Sequence, residues 1–134
     1  MVVLKLFERY DDSLRPPAPV VTVVVANPVN DLRAEVKAYV DTGFSETLLL
    51  PEEYYDKLSL MLTEFDEDCY AVHGGFFPAR LKIVIVFIEL NGFRKLIKAY
   101  VHPYLRKALL GRGVLNMFYL YLKGPEKVLE LEVP

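Results

Sequence analysis

The sequence predicts a mainly β fold, a small closed barrel with one or two short helices. Three observations carry that expectation. β-branched and apolar runs recur along the chain, turn dipeptides separate them, and only two short stretches begin like helices. At 134 residues, 53% apolar and 13% aromatic, the chain can fill a sizeable core. Its length suits a single domain spanning residues 1–134.

Taken in order, residues 2–9 are a possible first strand, followed by a Pro-rich connection over 11–19, DDSLRPPAP. VVTVVVA at 20–26 is a β-branched run that ends at the turn pair Asn27-Pro28. From Ala34 to Val40 apolar and polar residues alternate, the pattern of a half-buried strand, so 20–40 reads as a hairpin. Pro51-Glu52-Glu53 places Pro and two acids in a first helical turn, and that helix is expected to reach about Leu60. The acidic stretch 63–69, TEFDEDC, reads as a loop. Arg80 to Leu90 is nearly all apolar, as in a strand buried on both faces. Asn91-Gly92 is a strong hairpin turn signal, and Phe93 to Val101 is the return strand. A second short helix is expected over Arg112 to Met117. Phe118–Leu122 and Val128–Val133 are two further strands, separated by Gly124-Pro125.

Composition excludes several classes. A net charge of −2 argues against a globally basic nucleic-acid binder. The charge is uneven, with a net −8 over residues 41–68 and a net +7 over 91–127. Two such segments read either as neighbours in the fold or as a basic surface for an anionic partner. The apolar run Ile83 to Ile88 is far shorter than the roughly 20 residues of a membrane-spanning helix. The start, MVVLKLFERY, has no signal-peptide pattern. One cysteine, Cys69, allows no disulfide framework within the chain. A cytoplasmic protein is therefore expected. His73 and His102 have no third partner at metal-ligand spacing, so neither a metal nor a cofactor is expected.

The residues that carry chemistry begin with Asp41-Thr42-Gly43, at the end of the apolar strand KAYVDTGFSETLLLP. By itself the triplet also fits a plain strand-ending turn. It is followed by Phe44-Ser45-Glu46-Thr47 and then Leu48-Leu49-Leu50-Pro51. Far along the chain stands Ala108-Leu109-Leu110-Gly111-Arg112-Gly113-Val114-Leu115. On these two motifs the chain resembles the retropepsin-like, or retroviral-type, aspartic proteases over roughly residues 20–123, and its single-domain cellular and archaeal members most.

The resemblance implies a closed acid-protease barrel and an aspartic endopeptidase with Asp41 as its catalytic residue. The chain has a single Asp-Thr-Gly, while the reaction needs two carboxyl groups. The second then comes from a second copy, so a homodimer with Asp41 facing its symmetry mate is expected. Thr42 resembles the threonine that cross-braces the two active-site loops. Gly43 would let the backbone approach a peptide closely. Phe44 stands where the family more often has Ala, and it would narrow a subsite or fill core. Arg112 resembles the family arginine that supports the active-site loop, whose usual Asp partner is replaced here by Ser45. Glu46 or a backbone carbonyl is then left as its partner. Gly113 stands where Asp or Asn is usual. A hairpin flap is expected over Cys69 to Arg80, with His73, Gly74, Gly75 and Phe76 at its tip over the substrate. An ordinary surface hairpin is the other reading of that segment. The partners implied are a second copy of the chain and an extended peptide or protein substrate, with no membrane and no nucleic acid. The alternatives are a peptide-binding or dimerisation module on the same fold without activity, and a small barrel binding an anionic partner through residues 94–107.

Overall fold

A computed structural model of the chain describes residues 4–73 and 77–134, with side chains described outside 71–77. Ten strands and two short helices follow in the order β1 (Leu4–Arg9), β2 (Val20–Ala26), β3 (Arg33–Val40), β4 (Leu48–Pro51), α1 (Glu52–Lys57), β5 (Glu64–His73), β6 (Phe77–Leu90), β7 (Phe93–His102), β8 (Ala108–Leu110), α2 (Arg112–Leu115), β9 (Tyr119–Lys123) and β10 (Val128–Val133).

Seven strands form one sheet in the order β2-β3-β8-β4-β7-β6-β5, and a further β2–β6 pairing closes six of them into a barrel. Closure removes the sheet's free edges apart from β5. The remaining strands form a separate sheet, β1-β10-β9. Its two outer strands both pair antiparallel with β10, so the first and last strands of the chain lie side by side. Glu8 fastens this sheet to the barrel by accepting Thr22's backbone N–H at 2.8 Å and its hydroxyl at 2.9 Å.

Alternation decides which side chains enter the barrel. Val21, Val23 and Val25 of β2, Val36 and Ala38 of β3, Val84, Val86 and Ile88 of β6, and Leu110 of β8 share one core. The second face of β6 is only half-covered, since Ile85 and Phe87 are half-buried. The expectation of burial on both faces is corrected to that extent. The guanidinium of Arg94 stacks on the Phe87 ring at 3.7 Å.

Local chemistry sets the connections. Asn91 and Gly92 both have positive φ, at 46° and 86°, the two-residue turn whose twist matches a hairpin. The helix at Glu52 stops early, because Ser59 turns left-handed at φ 52° and a short 3-10 turn, Leu60–Thr63, follows. The acidic stretch read as a loop is the start of β5, paired with β6 from Glu64↔Val84 onward. An edge strand with charged side chains on both faces has no alternation to betray it. The two oppositely charged segments do meet, for Lys98 lies 3.9 Å from Glu67. Among the described residues, no helix is long and apolar enough to cross a membrane.

Candidate active site

Asp41 leaves the end of β3, where β3 runs parallel to β8 in the register Val40↔Leu110. Its backbone N–H donates to the Leu110 carbonyl at 3.0 Å, continuing that ladder by one bond. The chain then turns sharply, with Phe44 N–H donating to the Asp41 carbonyl at 3.2 Å. The Asp41 carboxylate takes part in the turn as well, since its Oδ1 accepts the Gly43 N–H at 3.0 Å. This Asx-type bond fixes the carboxylate at the tip. Thr42, Gly43, Ser45 and Glu46 are exposed and Asp41 itself is half-buried, so the turn presents its carboxylate outward.

The loop 41–47 rests on the segment 110–113 through main-chain bonds. Arg112 N–H donates to Phe44 O at 2.9 Å, Gly111 N–H to Thr47 O at 2.9 Å, and Gly113 N–H to Glu46 O at 3.0 Å. The two backbones touch at Gly111, where an added Cβ would lie 2.2 Å from Glu46 O and 2.8 Å from Phe44 O. Only glycine fits there. Gly113 is nearly as tight, with an added Cβ 3.0 Å from Thr47 Cγ2 and 3.1 Å from Glu46 O. A larger residue there would press on the same loop. The short helix α2 accordingly starts at Gly111 without a side-chain cap.

The structure answers the question of Arg112's partner. Its backbone bonds to Phe44 O, while the Glu46 carboxylate turns away from it and accepts the hydroxyl of Tyr100 at 2.9 Å. Among the described residues the exposed Arg112 guanidinium forms no ion pair, and neither does Ser45 replace the missing acid. Thr47 makes a second side-chain tether, donating its hydroxyl to Lys98 O on β7. Neither tether was legible in the sequence, because β7 lies more than 50 residues away along the chain.

β5 and β6 form the expected hairpin. Their pairing reaches His73↔Phe77, while β6 pairs with β7 only from Lys82↔Val101, so the hairpin's far end extends past the barrel. Pro78 sits in that overhang, where its missing N–H interrupts no second ladder. Gly74, Gly75 and Phe76 lie outside the described residues, as does the side chain of His73. His102 is buried at the end of β7, and its Nδ1 accepts the N–H groups of Tyr104 at 3.0 Å and Leu105 at 3.1 Å. That nitrogen is thereby committed to shaping the connection into β8. Among the described residues no group of three His, Cys, Asp or Glu stands together as a metal site.

No family model and no curated protein matches the sequence. The fold does match solved structures. A retropepsin-like aspartic protease from Rickettsia conorii is similar with a TM-score of 0.69 and 20% identity, over 98% of this chain and 92% of that one. The retroviral protease-like domain of Ddi1 from Leishmania major is similar with a TM-score of 0.52 and 18% identity, over 86% of this chain and 94% of that one. EIAV protease, solved with the inhibitor HBY-793, gives 0.53 and 20% over 74% of this chain and 86% of that one. The chain has the retropepsin-like fold.

Within this retropepsin-like barrel, a second and smaller apolar cluster lies outside the main core. Leu49, Leu81, Ile83 and Tyr100 form it, with Phe44 packed against it. Phe44 thus joins the Asp41 loop to the stem of the hairpin. Burial first, and then the hydrogen bond to Glu46, push the Tyr100 hydroxyl up to about 12. Burial and the nearby Glu46 also raise the Cys69 thiol, which keeps it protonated and a poor nucleophile.

Two predictions follow from this geometry. Gly111→Ala is expected to cost about 1–3 kcal/mol in urea unfolding. Gly124→Ala, where an added Cβ meets nothing within 4 Å, should stay within about 0.5 kcal/mol. The second concerns alkaline stability. Tyr100 titrates higher in the folded chain than its ordinary 10.0, so the folded state holds that proton more tightly. Its contribution is complete below pH 10 and fades as pH rises toward about 12. Unfolding curves of the parent and Tyr100→Phe should therefore converge over that interval. Parallel curves from pH 9 to 12 would contradict the assignment.

Proposed function

We propose that the chain is an aspartic endopeptidase that works as a homodimer, with Asp41 of each copy forming a catalytic pair. The observation that carries this reading is the Asp41 turn. The Asp41 backbone N–H is anchored on Leu110 O and its carboxylate on Gly43 N–H, at the open end of β3 in a retropepsin-like barrel. One copy supplies one such turn. Two depressions among the described residues, about 550 Å³ beside Pro51–Glu53 and about 390 Å³ beside Glu89–Arg94, are not lined by Asp41. A cleft at Asp41 needs a second wall, and a two-fold axis beside Asp41 supplies both the wall and the second carboxyl.

In that arrangement two carboxyls about 3 Å apart cannot both ionise, so they share one proton. The ionised member takes a proton from a water held between them as the water oxygen bonds to the peptide carbonyl carbon. The protonated member donates to the carbonyl oxygen, giving a tetrahedral diol. The C–N bond then breaks as one carboxyl gives its proton to the amine nitrogen and the other carboxylate takes a proton from a diol hydroxyl, which leaves the product acid and returns the pair to one shared proton. Titration belongs to the pair and not to either Asp41. The substrate would lie extended between the 41–47 loop and the β5–β6 hairpin, pairing as an added strand. The apolar cluster under Phe44 favours apolar side chains there.

Thr42 and Arg112 fit this reading by being exposed beside Asp41 with their side chains available to a second copy. Gly43 leaves the floor of the cleft open, and the β5–β6 hairpin that leads to the flap expected at residues 73–76 reaches beyond the barrel. Gly113 in place of an acid, with Ser45 in place of Asp, is the observation favouring a peptide-binding module without activity.

The test is cleavage of an unbiased peptide library from pH 3 to 8, with the oligomeric state measured by light scattering. The parent should be a dimer, cleave, and lose activity at high pH. Asp41→Asn should remain a dimer and lose about 10²–10⁴-fold. A folded dimer that cleaves nothing would leave the binding module as the function.

A further inference from the structure

The Asp41 loop is held on two sides. On one side the bonds to residues 110–113 are all main chain. On the other side the two bonds to β7 come from side chains, Thr47 to Lys98 O and Glu46 to Tyr100. The Tyr100 bond is the charged one, and hydrogen bonds to a charged group are about twice as strong as neutral ones. Its geometry is fixed from the β7 end. Tyr100 is 7% exposed and wedged among Leu49, Leu81 and Ile83, so its ring cannot follow the loop if the loop moves. Glu46, by contrast, is exposed and would otherwise be free to swing in water. The residue it belongs to also offers its main-chain oxygen to Gly113 N–H at 3.0 Å. Holding the Glu46 side chain therefore holds the point where the loop meets the Arg112–Gly113 turn.

We propose that Tyr100 is a positioning residue which, through the Glu46 carboxylate, locks the Asp41 loop onto the barrel wall. The proposal rests on the peptidase reading for its effect on catalysis, though not for its effect on the loop. Tyr100 touches no reacting atom. It acts by keeping residues 41–47 in one register on β7 and on residues 110–113. A catalytic carboxyl that must meet its mate at about 3 Å tolerates little drift.

The test uses the full chain and two readouts. Tyr100→Phe keeps the ring and removes the hydroxyl. Glu46→Ala removes the acceptor, and Glu46→Gln keeps an acceptor oxygen. Amide hydrogen exchange at Gly113 and Arg112 should speed up about tenfold in Tyr100→Phe and Glu46→Ala. It should be intermediate in Glu46→Gln, which keeps an acceptor oxygen without its charge. The double variant Tyr100→Phe/Glu46→Ala should be no faster than either single one, because both remove one interaction. On a cleaved peptide, kcat should fall about tenfold with KM within about twofold in the same two variants, and by less in Glu46→Gln. Parent-like exchange at Gly113 in Tyr100→Phe would overturn the proposal. So would a uniform rise at all amides with kcat unchanged, which marks a packing role alone. If the parent cleaves nothing, the peptidase reading falls, and the exchange data by themselves decide whether Tyr100 holds this loop.

Discussion

The close approach of two backbones at Gly111 is the constraint on which the rest of the site depends. The loop 41–47 crosses the segment 110–113 at a distance that leaves no room for a Cβ. That contact lets three successive N–H groups, from Gly111 to Gly113, donate into the loop. It also lets the three-residue strand β8 sit between β3 and β4, parallel to one and antiparallel to the other. Without β8 in that place the barrel would not close, and Asp41 N–H would lose Leu110 O as its acceptor. Closure of the barrel and the seating of the Asp41 loop backbone are thus consequences of one contact.

Legibility in the sequence followed length and periodicity. β2 and β3 were readable from VVTVVVA and from the alternation after Ala34, and the β6–β7 hairpin from Asn91-Gly92. β4 and β8 were not. They are four and three residues long and buried nearly throughout, so they show no period and look like any short apolar run. β5 was concealed for the opposite reason, being acidic on both faces at a sheet edge. The helix at Glu52 was placed correctly at its start and wrongly at its end, because nothing in the residue type of Ser59 announces a left-handed turn. For the candidate site, Asp41-Thr42-Gly43 and Gly111-Arg112 stood out through the family resemblance, and the structure brings the two segments together. The pairing of Glu46 with Tyr100 did not stand out, since two side chains 54 residues apart become neighbours only when β4 and β7 pair. The expected partner of the Arg112 side chain is not seen among the described residues: only its backbone N–H donates to Phe44 O, while Glu46 serves β7.

In the proposed homodimer the described site would be one half of a symmetric object. The Asp41 turn, Thr42, Gly43 and the Arg112 guanidinium all end at the surface of one copy. Everything that fixes them from behind is internal to the chain, through Leu110, Phe44 O and Tyr100. Such a division suits a site in which each copy builds its own rigid support and only the reacting face is shared. The chain's first and last strands pair with one another within the copy.

The central claim is that catalysis needs one Asp41 from each of two chains. The most direct measurement mixes parent chain with increasing amounts of Asp41→Asn chain, lets subunits exchange, and follows cleavage per parent chain. If the pair is shared across a two-fold axis, an equal mixture should keep about half of that activity, and an excess of variant should abolish it, because mixed dimers hold one carboxylate. Activity per parent chain that does not change with added variant would contradict the account.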